Sequence, residues 1–125
     1  MSISVLVVED EGLLRDAYEL VLKSQGFEVE TAHNGEDALH KLKKKSPDIV
    51  LLDLFMPVMN GKEFLANINL DDYPQTKVIA YSNISDKTTE AEVLKLGAKK
   101  LVLKASTGPK DLIKLIQEVA VSKEM

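Results

Sequence analysis

Acidic residues follow directly after two of the most apolar runs in this sequence. Glu9 and Asp10 come after the run VLVV, and Asp53 comes after IVLL. Adjacent carboxylates at the end of a buried strand repel each other and lose hydration, so an ordinary core avoids them. A hard cation such as Mg²⁺ needs only one or two carboxylates, water and often a phosphate oxygen. If the two runs lie side by side, the three acids predict a magnesium site.

Two further polar residues follow apolar runs later in the chain. Ser82 comes after VIAY, and Lys104 comes after LVL. A metal ion, a hydroxyl and an ammonium group can each contact one phosphoryl oxygen while a carboxylate acts as nucleophile. Asp53 is the candidate nucleophile, because it belongs to the most apolar run, DIVLLDLF, and we expect it to lie centrally. These residues predict metal-assisted phosphoryl transfer to an aspartate.

Each of these residues also has a purely structural interpretation. The acids after the first strand complement the dipole of a following helix equally well. Ser82 alone is typical of a strand-end hydroxyl, and Lys104 alone is typical of a solvated loop cation. The functional hypothesis therefore depends on all of them meeting at one edge of a single sheet.

The hydrophobic pattern predicts such a sheet, because apolar runs alternate with segments of helical period five times. Continuous apolar strands separated by helices indicate a parallel sheet with helices on both faces, here an α/β, doubly wound (βα)5 three-layer sandwich. Ligands bind at the carboxyl ends of the strands in such folds. The predicted strands are 3–8, 27–32, 48–55, 77–82 and 100–103. The first predicted helix begins near Leu14 and the second after Asn34. The third spans Glu63 to Leu70 and the fourth Asp86 to Leu96. The fifth begins at Pro109.

Composition fits one soluble domain, residues 1–125, with 45% hydrophobic residues to form a core. The net charge of −4 argues against nonspecific nucleic-acid binding, and the lysines at 43–45 suit the end of a helix. The absence of cysteine excludes disulfides and cysteine metal sites. No apolar run approaches the roughly 20 residues of a membrane span, and MSISVLVVED lacks the basic start of a signal peptide. We expect a cytoplasmic protein without membrane contact or direct nucleic-acid binding.

Four segments resemble the receiver domain of two-component response regulators. They are VLVVEDE, SPDIVLLDLFMPVMNG, VIAYSN and GAKKLVLKA, and their order and spacing cover nearly the whole chain. The resemblance implies a flavodoxin-like fold of strand order 2-1-3-4-5. It also implies a phosphorylation-activated switch that receives its phosphoryl group from a sensor histidine kinase or phosphotransfer protein and signals to an output domain or target.

The resemblance implies roles for the acids. Asp53 corresponds to the phosphoacceptor, Asp10 to the acid that coordinates Mg²⁺ directly, and Glu9 to the acid that acts through a metal-bound water. The backbone carbonyl of Phe55 corresponds to a third protein ligand of the metal.

The resemblance likewise makes Ser82 the hydroxyl switch residue and Lys104 the lysine that contacts the phosphoryl group. Phosphorylation adds about −1.5 to −2 charges, and contacts from these two residues would draw the loop after the fourth strand inward. The surface that partners read is then expected on the fourth helix, fifth strand and fifth helix. Such a domain catalyses only its own phosphorylation and dephosphorylation.

Three positions outside the acidic set depart from the family pattern. Leu101 replaces a usual Tyr or Phe whose rotation accompanies the hydroxyl movement, which leaves coupling to an aromatic switch in question. Ala105 replaces a usual proline with a cis bond. Because a cis bond without proline costs about 3 kcal/mol, we expect this loop to differ or its strain to be held by packing. Asn60 replaces an acid of the MPxMDG pattern, a minor change at a turn.

Three other functions fit parts of the sequence. A metal-dependent phosphatase with an aspartyl-phosphate intermediate would need an acid where this chain has Phe55. A nucleotide-binding domain would need glycines where this chain has EDEGLL. A pseudo-receiver, an interaction module that keeps the fold without phosphotransfer, is the third alternative, and Leu101 and Ala105 are the residues that favour it.

Apolar residues predict a long-lived phosphorylated state. Phe55 and Ile84 flank the position where receiver domains often use polar side chains to orient the attacking water. Hydrolysis at Asp53 should therefore be slow, which is measured as the decay of phosphorylated protein after the phosphodonor is removed. A half-life of seconds would contradict this prediction.

Overall fold

Five short parallel strands form the centre of the structure, a computed structural model that describes residues 2–83 and 86–121. The strands are β1 (Ser4–Val8), β2 (Glu28–Ala32), β3 (Ile49–Asp53), β4 (Lys77–Ser82) and β5 (Lys100–Leu103). The helices are α1 (Gly12–Ser24), α2 (Gly35–Lys44), α3 (Gly61–Asn67), α4 (Lys87–Lys95) and α5 (Pro109–Val121). The sheet order β2-β1-β3-β4-β5 confirms the predicted doubly wound fold.

The two faces of the sheet carry separate, mainly aliphatic cores. Every residue of β3 is buried, as its unbroken apolar run predicts. On one face Val50 and Leu52 pack with apolar residues of α2, α3 and α4. On the other face Ile49 and Leu51 pack with apolar residues of α1 and α5. Because side chains alternate along a strand, Asp53 at the end of β3 has the parity of the α1 and α5 face.

Strand register determines which residues meet at the carboxyl edge. Val8 of β1 pairs with Leu52 of β3, so Glu9 and Asp53 each lie one residue beyond this pair. Asp53 in turn pairs with Tyr81 of β4. The register therefore brings an acid from β1, an acid from β3 and a tyrosine from β4 to the same end of the sheet.

The prediction of a helix over 63–70 was wrong at both ends. Helix α3 begins at Gly61 because Asn60 caps it: the Asn60 side chain accepts from the Glu63 N–H at 2.9 Å, and the Glu63 carboxylate accepts from the Asn60 N–H at 3.0 Å. The helix ends at Asn67, and a separate 3-10 turn follows at Leu70–Asp72. The departure at Asn60 is thus part of a helix cap.

The loop after β5 differs from the family pattern of a cis bond. The sequence predicts either such a difference or a strained bond held by packing. Ala105 lies in a 3-10 turn, Lys104–Ser106, and the residues that the structure describes contain no cis peptide bond.

None of the helices in this described part has the length and apolar character that crossing a membrane requires.

Gly61 lies directly against the strand end that carries Asp53. A Cβ atom at Gly61 would lie 2.7 Å from the Asp53 carbonyl oxygen and 2.7 Å from the Leu54 Cα. The Gly61 N–H also donates to the Leu54 carbonyl at 3.1 Å. Because these neighbours are backbone atoms, a side chain here must push the strand end away.

We therefore predict that Gly61→Ala lowers the free energy of unfolding by about 2 kcal/mol, the usual cost of overpacking a filled site. Urea denaturation measures this change. Gly12→Ala is the matched control: its Cβ would meet only the end of the Arg15 side chain, at 3.7 Å, and alanine in a helix is favoured by up to about 1 kcal/mol. Equal effects of the two substitutions would contradict the prediction.

Candidate metal centre

Three acids meet at the carboxyl ends of β1 and β3. One carboxylate oxygen each from Glu9, Asp10 and Asp53 lies within 4.8 Å of the other two. Glu9 and Asp53 are buried, whereas Asp10 is exposed. Oxygen ligands of one Mg²⁺ are about 3 to 4 Å apart, so the spacing of these acids suits one ion that some of them hold directly and others through a bound water. The predicted meeting of the acids is confirmed, and the donor set suits a hard cation.

Lys104 extends into the acidic cluster from the end of β5. Its Nζ lies 3.1 Å from Glu9 Oε1 and 3.4 Å from Asp53 Oδ1, and the side chain is only 13% exposed. Burial acts to lower the pKa of Lys104, but the hydrogen bond to Glu9 and the charge of Asp53 outweigh it and raise that pKa above its usual range. The lysine is therefore an ammonium donor placed between two carboxylates.

Asp53 and Glu9 differ in how readily their carboxyl groups bind a proton. Burial, and after it the charge of Glu9, raises the pKa of Asp53 to about 7, although Lys104 and the Phe55 N–H, 3.2 Å from Asp53 Oδ1, act in the opposite direction. Burial also acts to raise the pKa of Glu9, but its hydrogen bonds, beginning with the Glu11 N–H at 3.1 Å, hold it below the usual range. Glu9 thus carries the charge more readily, and Asp53 keeps its proton more readily.

Tyr81 is a site residue that the sequence motifs did not indicate. Its hydroxyl donates to Glu9 Oε1 at 2.9 Å, and Lys104 Nζ lies over its ring at 4.7 Å from the centroid. The ring also packs edge-on against Tyr18, with centroids 5.4 Å apart. The signal for Tyr81 was its register opposite Asp53, which cannot be read from either strand alone.

Arg15 is a second contributor that the motifs did not indicate. Its Nη1 donates to the backbone carbonyl of Glu9 at 3.0 Å and to that of Asp10 at 3.4 Å. Both carbonyls belong to the short connection between β1 and α1. The guanidinium of the first helix therefore fixes the backbone that carries two of the acids.

The acidic pocket has a volume of about 360 Å³. It is lined by Glu9, Asp10, Glu11, Asp53, Phe55, Asn83 and Lys104. Ser82 is fully buried at the end of β4 and is not among these lining residues. Strand alternation explains this placement, because Ser82 has the parity of Val78 and Ala80, which pack towards α2, α3 and α4. A contact between Ser82 and a phosphoryl group on Asp53 therefore stays a prediction.

The remaining predicted positions are placed as follows. Phe55 is 55% exposed and lines the pocket, and the role of its carbonyl as a ligand stays a prediction. Leu101 is partly buried on β5 and packs against the core beneath α2, α3 and α4. Ile84, the second residue behind the predicted slow hydrolysis, lies outside the described residues.

Comparisons with known proteins agree on one family. The family model described as the response regulator receiver domain matches residues 5–117. The chemotaxis protein CheY of Thermotoga maritima is 36% identical over 101 residues, which cover 80% of this chain and 83% of that protein. The solved structure of the chemotaxis protein CheY4 of Vibrio cholerae superimposes with a TM-score of 0.88 at 31% identity and covers 95% of this chain and 99% of that one.

Longer proteins also contain a region similar to this chain. A protein-glutamate methylesterase/protein-glutamine glutaminase of Bacillus licheniformis is 40% identical over 109 residues. These residues cover 83% of this chain and 30% of that relative. The chain therefore spans most of the length of the CheY relative but less than a third of the length of the methylesterase/glutaminase.

The buried charge of Asp53 predicts a pH-dependent stability. Its pKa of about 7 in the folded protein exceeds the value of about 3.9 in an unfolded chain, so the folded state binds more protons between these values. Stability without metal should thus fall as the pH rises from about 4 to about 7. At about pH 8 in a chelator, Asp53→Asn should be more stable than wild type by on the order of 3 kcal/mol, because the amide carries no charge.

Denaturant unfolding at several pH values measures this difference, which should shrink towards about pH 4. Asp16→Asn is the control, since it makes the same chemical change at an exposed position of α1 outside the acidic cluster. An Asp53→Asn protein no more stable than wild type at the higher pH would show that the buried acids do not repel each other.

Proposed function

This chain belongs to the response regulator receiver domain family, and we propose that it is a phosphorylation-activated switch of two-component signalling with Asp53 as its phosphoacceptor. The observation that carries the proposal is the Lys104 ammonium group 3.4 Å from the buried Asp53 carboxylate. Asp53 is only 3% exposed, yet it borders an open pocket from which a phosphodonor can approach. A carboxylate in this position combines a nucleophilic oxygen with a cation placed for the incoming oxygens.

The oxygen donors of the pocket support Mg²⁺ as the cofactor. Glu9, Asp10, Asp53 and the backbone carbonyl of Phe55 would hold it, with Glu9 acting through a bound water. Bound Mg²⁺ supplies positive charge beside Asp53, which lets an anionic phosphoryl group approach a cluster of carboxylates. Asp10 suits direct coordination because it is the exposed member of the cluster and keeps contact with solvent.

The residues then have distinct tasks in the transfer. An ionised Asp53 oxygen attacks the phosphorus of the donor phosphohistidine, so that a new oxygen–phosphorus bond forms as the nitrogen–phosphorus bond breaks. Mg²⁺ held by these residues would favour the ionised Asp53, because metal ligands bind in their deprotonated form. Lys104 donates to one phosphoryl oxygen, and hydrolysis by water later restores the Asp53 carboxylate. The domain acts as a catalyst only in these two steps on itself.

Phosphorylation would change the surface of the domain, and a partner would recognise the changed surface. The added charge draws Lys104 and the Ser82 hydroxyl towards the phosphoryl oxygens, and the loop after β4 moves inward with Ser82. The surface of α4, β5 and α5 is then the one that an output domain or target recognises. The donor would be a sensor histidine kinase or a phosphotransfer protein, and such a switch would work in the cytoplasm.

The geometry favours this switch over the alternative functions. A pseudo-receiver has no need for three acids and a lysine to converge. Here the acids offer oxygens within 4.8 Å of one another, and Lys104 Nζ lies within 3.4 Å of two of them. A phosphatase would need a proton donor at the position of Phe55, which is apolar and more than half exposed.

Labelling with a small acyl phosphate in the presence of Mg²⁺ tests the proposal. Intact-protein mass spectrometry should detect one added phosphoryl group on wild type, and none on Asp53→Asn or without a divalent cation. Lys104→Ala should slow labelling by about 10²-fold, the usual effect of losing a donor to a developing anion. Asp16→Asn is the control, since this aspartate is exposed on α1 and does not line the pocket.

The outcomes separate the candidate functions. Equal labelling of Asp53→Asn and wild type would place the acceptor elsewhere. No labelling of wild type by any acyl phosphate or phosphohistidine donor would favour the interaction module without phosphotransfer.

A further inference from the structure

We infer that Tyr81 is a positioning residue of this site, which holds the Glu9 carboxylate in place and allows Lys104 to move from Glu9 to a phosphoryl oxygen. The inference rests on the proposed role of Asp53 as phosphoacceptor. It concerns a residue that carries no reacting atom and acts through its two polar neighbours.

The hydroxyl of Tyr81 is hydrogen-bonded to the carboxylate of Glu9. It donates to Glu9 Oε1 at 2.9 Å, and both residues are buried, at 2% and 1% exposure. A hydrogen bond to a charged acceptor away from water is stronger than one between neutral groups. Glu9 Oε2 is fixed independently by the Glu11 N–H at 3.1 Å.

Glu9 Oε1 accepts hydrogen bonds from the Tyr81 hydroxyl and the Lys104 ammonium group. In the proposed reaction, Lys104 moves to a phosphoryl oxygen. Lys104 Nζ lies 3.1 Å from Glu9 Oε1 and 3.4 Å from Asp53 Oδ1. A phosphoryl group on Asp53 would attract the ammonium group and lengthen its contact with Glu9. Breaking a buried ion pair is strongly destabilising when nothing replaces the lost partner. Because the Tyr81 hydroxyl remains on Oε1, Lys104 can move without leaving that oxygen unpaired.

The ring of Tyr81 also supports the lysine. Lys104 Nζ lies 4.7 Å above the ring centroid, within the range of a cation–π interaction. Tyr18 packs against this ring at an interplanar angle of 78°, which limits its rotation. The ring therefore gives the ammonium group a fixed surface between Glu9 and Asp53.

A role in packing alone would not need the hydroxyl. Tyr81 lies in β4 among Ile79, Leu51 and other apolar residues of the α1 and α5 face, and phenylalanine would fill the same space. Tyr81→Phe consequently removes the bond to Glu9 and leaves the ring under Lys104. Tyr73→Phe is the matched control, because Tyr73 is a partly buried tyrosine packed against the core of the opposite face.

The experiment measures Mg²⁺ affinity by calorimetry and the rate of acyl-phosphate labelling at saturating Mg²⁺. For Tyr81→Phe we expect the Mg²⁺ dissociation constant to rise about tenfold, as for loss of an outer partner of a metal ligand, and the labelling rate to fall several-fold. Tyr73→Phe should leave both unchanged. Wild-type values for Tyr81→Phe would overturn the inference but not the proposed function. If wild type is not labelled at all, the proposed function fails, and so does the part of the inference that concerns Lys104.

A double-mutant cycle with Glu9→Gln distinguishes positioning from general destabilisation. If the hydroxyl acts through the Glu9 carboxylate, Tyr81→Phe should change Mg²⁺ affinity far less in the Glu9→Gln background than in wild type. The binding measurement uses metal and protein only, so it does not depend on labelling. Additive effects of the two substitutions would overturn the inference, because a packing defect acts regardless of the residue at position 9.

Discussion

Two carboxylates are buried side by side at the carboxyl end of the sheet, and the repulsion between them explains most of the site. Glu9 is held as the charged partner by three donors: the Glu11 N–H, the Tyr81 hydroxyl and the Lys104 ammonium. Burial, and after it the charge of Glu9, raises the pKa of Asp53, so Asp53 retains a proton more readily. A cation bound by these two acids and Asp10 would relieve the repulsion and favour an ionised Asp53. In the proposed function, metal binding and the reactivity of the aspartate would then both follow from this one electrostatic arrangement.

The fold makes this arrangement possible because the site is attached to a fully buried strand. Every residue of β3 is buried, and the loop beyond it is fixed by the close approach of Gly61 to the backbone of Asp53 and Leu54. On the β1 side, Arg15 bonds to the carbonyls of the connection that carries the acids. Repelling groups remain close together only when the backbone around them has no freedom to separate them.

Sequence patterns predicted the fold and the meeting of the acids for physical reasons that the structure bears out. Apolar runs with helical segments between them allow few topologies, and the family resemblance implied the strand order that places β1 beside β3. The carboxyl ends of neighbouring parallel strands must then meet. Helix α3 was placed wrongly because its start depends on the side chain of Asn60 rather than on hydrophobic period. Tyr81 was missed because its role depends on pairing between β3 and β4. The burial of Ser82 depends on which face its alternating position reaches, which only the packed sheet determines.

The central claim is that Glu9, Asp10 and Asp53 form one site whose buried charges a divalent cation relieves. The most direct measurement is the free energy of unfolding as Mg²⁺ is added, for wild type and for Asp53→Asn. Binding to the folded state alone stabilises wild type by about 2.7 kcal/mol at a hundred times the dissociation constant. We expect this rise for wild type and a smaller one for Asp53→Asn at the same Mg²⁺ concentration. A wild-type stability that does not change with Mg²⁺ would show that these acids do not hold a cation.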